Sequence, residues 1–236
     1  EADTNVDSGI TLSSYHNLKL IGHGGMAEVY RATDSTGRGT VAVKILRAAL
    51  AGDEQFQKRF MREAEIVNRL EHPNIVRVTD FGEERGMYYI VMEMLSGPDL
   101  NHLIRQEKRI SLSNTVNLLR GIADALDYAH ENGLVHRDIK PSNLFLCDGD
   151  VERVVVLDFG IARQAFDSSI GVRTQTGVVV GTPEYMAPEQ AQSDARDIDT
   201  RTDVYSLGVV LYELLTGALP FEDTHQRPRR TRSRRP

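Results

Sequence analysis

The chain carries a single cysteine, Cys147, among 236 residues. An internal disulfide is therefore excluded, and the usage fits a reducing compartment without requiring one. Long apolar runs are missing too, none reaching the ~18 to 20 residues that a membrane-spanning helix needs. The acidic start Glu1-Ala2-Asp3 is unlike a signal peptide. A soluble, cytoplasmic chain is expected. The first residue is not Met, so a longer parent with an anchor stays open.

Basic residues are scarce except at one end. Of 28 Lys and Arg, six fall in residues 227 to 236, Arg-Pro-Arg-Arg-Thr-Arg-Ser-Arg-Arg-Pro, which hold no acid. The remaining 22 face 34 Asp and Glu, so residues 1 to 226 carry −12. An Arg/Pro/Ser tail of this kind is expected to be solvated and disordered. Nothing else suggests nucleic-acid recognition. At 40% apolar residues the chain can bury a sizeable core, as one large domain or two lobes.

The first half reads as short strands, Leu18-Ile21, Val29-Arg31, Val41-Leu46, Ile75-Asp80 and Tyr88-Met94, with turn chemistry over Thr33-Thr40. Between them, Asp53-Leu70 switches to helical spacing, with Phe56, Phe60, Ala64 and Val67 on one face. His72-Pro73-Asn74 ends that helix, because a residue before proline is pushed out of helical dihedrals. Past Gly97-Pro98 helices dominate: Leu100-Gln106, Thr115-Glu131 closed by Gly133, and Val204-Leu215, apolar on nearly every side and so expected to be buried. The sheet-rich and helical parts meet near residues 95 to 98.

The chemistry concentrates in two strings. Residues 136 to 143 read His-Arg-Asp-Ile-Lys-Pro-Ser-Asn, and Asp158-Phe159-Gly160 follows. Singly, Asp138 reads as a loop acid and Asp158 as a turn former. Together they supply a hydroxyl-proton acceptor, a nearby Lys, and an amide and a carboxylate suited to a hard cation. Val154-Leu157 reads as a buried strand that would hold Asp158 rigidly. Gly22-His23-Gly24-Gly25-Met26-Ala27-Glu28-Val29 lies between two strands, and such a hairpin lets backbone N–H groups approach phosphate. A dinucleotide site would need a helix next, and Val29 starts a strand instead. Lys44 ends an apolar strand. Glu63 shares the inward face with Phe60 and Val67 while Glu65 is turned away, so Glu63 is the expected partner of Lys44.

With these motifs in order, the chain resembles the eukaryotic-type protein kinases, and among them the bacterial Ser/Thr kinases with a Gly-x-Gly-Gly-Met-Ala-Glu-Val loop, from about Tyr15 to Phe221. The resemblance implies an α+β, bilobal fold: a flexible segment at 1–14, an N-lobe of antiparallel sheet plus one main helix at 15–95, a partial, mostly helical C-lobe at 96–223 with its activation segment at 158–189, and the basic tail from 224. It implies ATP with Mg²⁺, Mn²⁺ being possible, and protein substrates with Ser or Thr acceptors. Asp138 would be the catalytic base, Lys140 would steady the transferring phosphate, Lys44 held by Glu63 would bind the α- and β-phosphates, and Asn143 and Asp158 would hold the metal. The nucleotide would lie among Ile21, Gly22, Gly24, Gly25, Val29, Ala42 and the Leu144 to Leu146 run that includes Phe145. Met92 would gate the back of that pocket, the backbone of Glu93 and Leu95 would bond the base, and Asp99 would reach the ribose.

The family also implies a switch. Arg137 would meet a phosphate on the activation loop, with Thr174 and Thr176 the preferred acceptors, Arg163 an assistant, and Ser168 and Ser169 weaker candidates. Activation by autophosphorylation between copies follows. Thr182 and Lys140 point to Ser/Thr substrates, and Ser142 argues against a strong preference for Arg-rich ones. One departure stands out: family members continue past the helix bearing Asp203 with further helices and an Arg that pairs with Glu189. Their absence here would expose part of Val204, Leu207, Leu211 and Leu214. The alternative is a weak or inactive nucleotide-binding module or fragment on a kinase fold.

Overall fold

The computed structural model describes residues 10, 12–24, 27–46, 54–159, 183–191 and 198–221. Five strands form one antiparallel sheet: β1 Tyr15–His23, β2 Ala27–Asp34, β3 Gly39–Leu46, β4 Val78–Glu84 and β5 Met87–Glu93, in spatial order β1-β2-β3-β5-β4. Alternation along β3 sorts its two faces. Val41, Val43 and Ile45 join Tyr15, Tyr30 and Val91 in a small cluster on one face. Ala42 and Leu46 join the main core on the other, and Lys44 lies between them in register, opposite Val29 and Ile90.

Helix α1, Glu54–Asn68, covers that second face with Phe60, Ala64 and Val67, all nearly inaccessible. Its outer side carries the i,i+4 pairs Lys58–Glu54 and Arg69–Glu65. Burying side chains of this size is worth ~1.5 to 3 kcal/mol each, whereas exposed pairs contribute a few tenths, so the apolar stripe decides where α1 sits.

Two short tethers join the sheet to the helical part. Asn74, next to the helix-ending proline, donates from Nδ2 to Val154 O at 2.7 Å and accepts from Val156 N at 2.8 Å. Gly97 runs so close to the chain that a Cβ there would lie 2.1 Å from Leu146 O, and its φ of +131° is one only glycine adopts readily. Flanking it, Asp148 N donates to Ser96 O at 2.7 Å and Leu146 N to Pro98 O at 2.9 Å.

The helical part holds α2 Leu100–Glu107, α3 Leu112–Glu131, the hairpin of β6 Leu144–Leu146 with β7 Val154–Val156, the short α4 Pro188–Ala191, and α5 Thr200–Thr216. Ser111 caps α3 through its side chain, and Gly133 follows the helix end with φ +76°, as its composition suggested. The α3 stripe Leu118, Ile122, Ala125, Leu126 and Ala129 packs into the core.

Helix α5 corrects one expectation, because it is not buried all round. Val209, Val210 and Leu214 are buried, while Val204 is 65% and Tyr212 46% exposed. Leu207 and Leu211 are half-buried, and Leu214, expected to be partly exposed, is fully enclosed. The reason is local: the C-terminal turn of α5 docks on the α2–α3 connection, with Ile110 N donating to Leu214 O and Arg109 Nε to Thr216 O. Among the described residues no helix is long and apolar enough to cross a membrane.

Candidate active site

The β6–β7 hairpin brings the two sequence strings together. Asn143 lies at the end of the turn that leads into β6, Asp158 lies two residues after β7, and Leu157 N donates to Asn143 O at 2.8 Å across the hairpin. Asn143 turns its Nδ2 toward Asp138, donating to the backbone oxygen at 2.8 Å and to Oδ2 at 3.1 Å. Lys140 Nζ donates to the same Oδ2 at 2.8 Å. Two donors on one oxygen fix the orientation of the Asp138 carboxylate.

His136 is fully buried and serves as the internal strut. Its Nε2 lies 2.8 Å from Leu157 O and its Nδ1 3.2 Å from Asp138 N. A carbonyl accepts and a backbone amide donates, so these neighbours select the neutral tautomer with the proton on Nε2. Phe159 stacks at a tilt against the ring, 4.8 Å between centroids, and is itself buried. Beneath this, Asp203 in α5 accepts from His136 N at 2.8 Å, Arg137 N at 2.7 Å and His130 Nε2 at 2.8 Å. Asp203 is completely inaccessible, and its carboxylate braces the His136–Arg137 backbone.

Lys44 reaches across from β3, and here one expectation is corrected. Its Nζ pairs with Asp158 Oδ1 at 2.9 Å rather than with Glu63. Burial pushes the Asp158 carboxyl up, but the charge and hydrogen bond of Lys44, helped by Lys140, outweigh it and hold it below the usual carboxylate range. Glu63 does face inward. Its Oε2 is buried with no hydrogen-bond partner among the described residues, and burial pushes its carboxyl up to about 7 against the pull of Arg137 and Arg62. Helical periodicity sets which face Glu63 occupies; it does not set how far that face stands from β3, and Asp158 is nearer to Lys44.

Around Lys44 the apolar walls are in place. Ala42, Met92 and Leu144 are buried, Val29 and Phe145 half-buried, and Ile21 is 50% exposed. Behind Met92 a cavity of about 20 Å³, room for about one water, is bounded by Lys44, Val67, Val78, Asp158 and Phe159. Glu93 already donates its amide to Arg77 O at 3.0 Å. Asp99, expected near a ribose, caps α2 by accepting from His102 N at 2.8 Å, and a bridge to Phe145 places it beside β6. Gly22 and Gly24 lie on the β1–β2 hairpin. Gly25, Arg163, Ser168, Ser169, Thr174, Thr176 and Thr182 lie outside the described residues.

Sequence reasoning missed the polar anchors beyond the motif. Glu189 accepts from Thr202 Oγ1 at 2.8 Å, Ser206 Oγ donates to Tyr185 O at 2.8 Å, and Tyr185 OH donates to Glu213 at 2.6 Å. Gln190, also overlooked, bonds Arg137 O. Such contacts join positions remote in sequence and leave no periodic signature.

A carboxylate held by Lys140 and Asn143, beside a second carboxylate paired with Lys44, is an arrangement suited to phosphoryl transfer. The family model for the protein kinase domain matches residues 15–235, and the chain belongs to that family. Among its relatives, a probable serine/threonine-protein kinase PknB of Bifidobacterium longum is 44% identical over 227 residues, covering 92% of this chain and 32% of the relative. The serine/threonine-protein kinase PknB of Mycobacterium tuberculosis is 44% identical over 215 residues, 89% and 34% of the two chains. The chain thus spans about a third of the length of these curated relatives. Among solved structures, the PknI kinase domain of M. tuberculosis superposes with a TM-score of 0.72 at 34% identity, covering 94% of this chain and 80% of that one. Rad53 in complex with AMP-PNP gives 0.71 at 31% identity, covering 90% and 51%. The α+β kinase fold follows from both.

Proposed function

We propose that this chain is the catalytic part of a Ser/Thr protein kinase that transfers the γ-phosphoryl group of ATP to protein hydroxyls. The observation that carries this reading is the single cluster of Asp138, Lys140 and Asn143 closed against Asp158 and Lys44. The acceptor hydroxyl passes its proton to Asp138 as its oxygen bonds to the γ-phosphorus, and the bond to the bridging oxygen breaks to release ADP. Lys140, already beside Asp138, offsets charge on the phosphoryl group in flight. Lys44 stands where it can exchange Asp158 for phosphate oxygens.

The donor set suits Mg²⁺. The Asn143 amide nitrogen is committed to Asp138, leaving its oxygen as a ligand, and Asp158 supplies a carboxylate kept ionised by Lys44. Two protein oxygens are the usual complement where substrate phosphates supply the rest, and the bound cation would neutralise the developing phosphate charge. Mn²⁺ is the expected substitute. The adenine is placed between Ala42 and the Leu144–Leu146 strand, held by the Glu93 and Leu95 backbone, with Asp99 toward the ribose and the Gly22–Gly25 hairpin over the phosphates. Thr174 and Thr176 are proposed as activating phosphosites, modified by a second copy of the chain, in the cytoplasm where ATP is supplied.

Incubation with γ-labelled ATP and Mg²⁺ tests the reading. Label is expected in the chain or in an added protein acceptor, and none with Asp138→Asn or Lys44→Met. Nucleotide-dependent thermal stabilisation without any label would instead leave a binding module and refute the transferase.

A further inference from the structure

We propose that Gln190 is a positioning residue for phosphoryl transfer, coupling the end of the activation segment to the peptide that carries Asp138; this rests on the kinase reading above. Gln190 is the third residue of α4 and is 6% exposed. Both ends of its amide are used. Oε1 accepts from Ala187 N at 3.1 Å, and Nε2 donates to Arg137 O at 2.8 Å.

The second bond matters because of where Arg137 sits. Its φ of +64° is left-handed, a conformation that a residue with a Cβ keeps only when its surroundings hold it there. Its N–H is held by Asp203 at 2.7 Å, and its carbonyl by Gln190. The two peptide planes flanking Arg137 are thus pinned by different elements, α5 below and α4 beside. The second plane runs directly into Asp138, whose amide donates to His136 Nδ1 at 3.2 Å. Rotation of that plane would swing the Asp138 carboxylate relative to Lys140 and Asn143.

Gln190 itself stands on an anchored segment. The neighbouring Glu189 accepts from Thr202, and the Tyr185 carbonyl accepts from Ser206, both on α5. Whatever sets the end of the 158–189 segment therefore sets the Gln190 amide, and through one hydrogen bond the catalytic base. A displacement of about 1 Å at a reacting group is enough to lower turnover by up to roughly a hundred-fold.

Two substitutions separate positioning from plain support. Gln190→Leu removes both bonds; Gln190→Glu keeps the size and the acceptor for Ala187 N but cannot donate to Arg137 O, and it serves if the first does not fold. In both, kcat is expected to fall at least about ten-fold while KM for ATP stays within about two-fold, whatever the thermal midpoint loses from the stranded polar groups. Backbone amide exchange in the 136–139 region is expected to quicken. Unchanged kcat overturns the proposal, as does a loss of kcat matched by an equal loss in ATP affinity, which would mean support only. If the unsubstituted chain transfers no phosphate, the kinase reading fails by itself. Amide exchange then still decides the coupling, since unaltered exchange at 136–139 refutes it and faster exchange sustains it.

Discussion

Replacing Asp203 with Ala removes the acceptor for two buried backbone N–H groups, those of His136 at 2.8 Å and Arg137 at 2.7 Å, and strands His130 Nε2 as well. Leaving a buried donor unsatisfied costs ~1 to 3 kcal/mol, so the loss should come to roughly 3 to 5 kcal/mol. That is a large part of the ~5 to 15 kcal/mol that holds a typical domain together. For a chain of this size each kcal/mol shifts the midpoint by ~2 to 4 °C, which gives roughly 6 to 20 °C. Asp203→Asn retains one acceptor and should lose about half as much. Circular-dichroism melts and urea unfolding measure both. A loss under about 1 kcal/mol for the Ala variant would mean that water or another group satisfies these amides, and the bracing role assigned to Asp203 would be wrong.

Glu63 gives a pH-dependent prediction. Burial raises its folded pKa to about 7 from the ordinary 4.5, so between these pH values the unfolded chain sheds the proton first and stability falls as pH rises. Glu63→Gln should therefore gain about 1 to 3 kcal/mol over the parent at pH 8 and little at pH 4.5, by urea unfolding; an equal difference at both would contradict the assignment. Gly97→Ala would force a Cβ to 2.1 Å from Leu146 O at a φ of +131°, and should cost roughly 2 to 5 kcal/mol in a thermal melt. A neutral result there would mean that the two parts of the fold can separate at little cost. Replacing Thr174 and Thr176 together with Ala should lower activity at least about ten-fold if the proposed Arg137 switch operates. Unchanged activity would sink the switch.

Much of the fold could be read before the structure, because it rests on local patterns. The 2-residue alternation of β3 and the Phe60, Ala64, Val67 stripe place sheet and α1 correctly to within a few residues. The His136–Asn143 string and Asp158 were legible for a different reason: the chemistry demands fixed side chains in fixed order. What escaped were relations between elements. The Lys44–Glu63 pair followed from helical phase, and the structure gives Lys44 to Asp158 because distance between elements is a tertiary quantity. The uniformly apolar look of Val204–Leu215 concealed a one-sided burial. The three-residue strands β6 and β7 are too short for periodicity, yet their pairing is what sets Asn143 beside Leu157 and hence near Asp158.

The most direct test of the central claim is a single-turnover comparison of the unsubstituted chain with Asp138→Asn at saturating Mg²⁺ and ATP, measuring phosphate appearing on a Ser or Thr together with ATP affinity in the same samples. A base held by Lys140 and Asn143 predicts a rate loss of roughly a hundred- to ten-thousand-fold with affinity changed by less than about three-fold. Equal rates would contradict it.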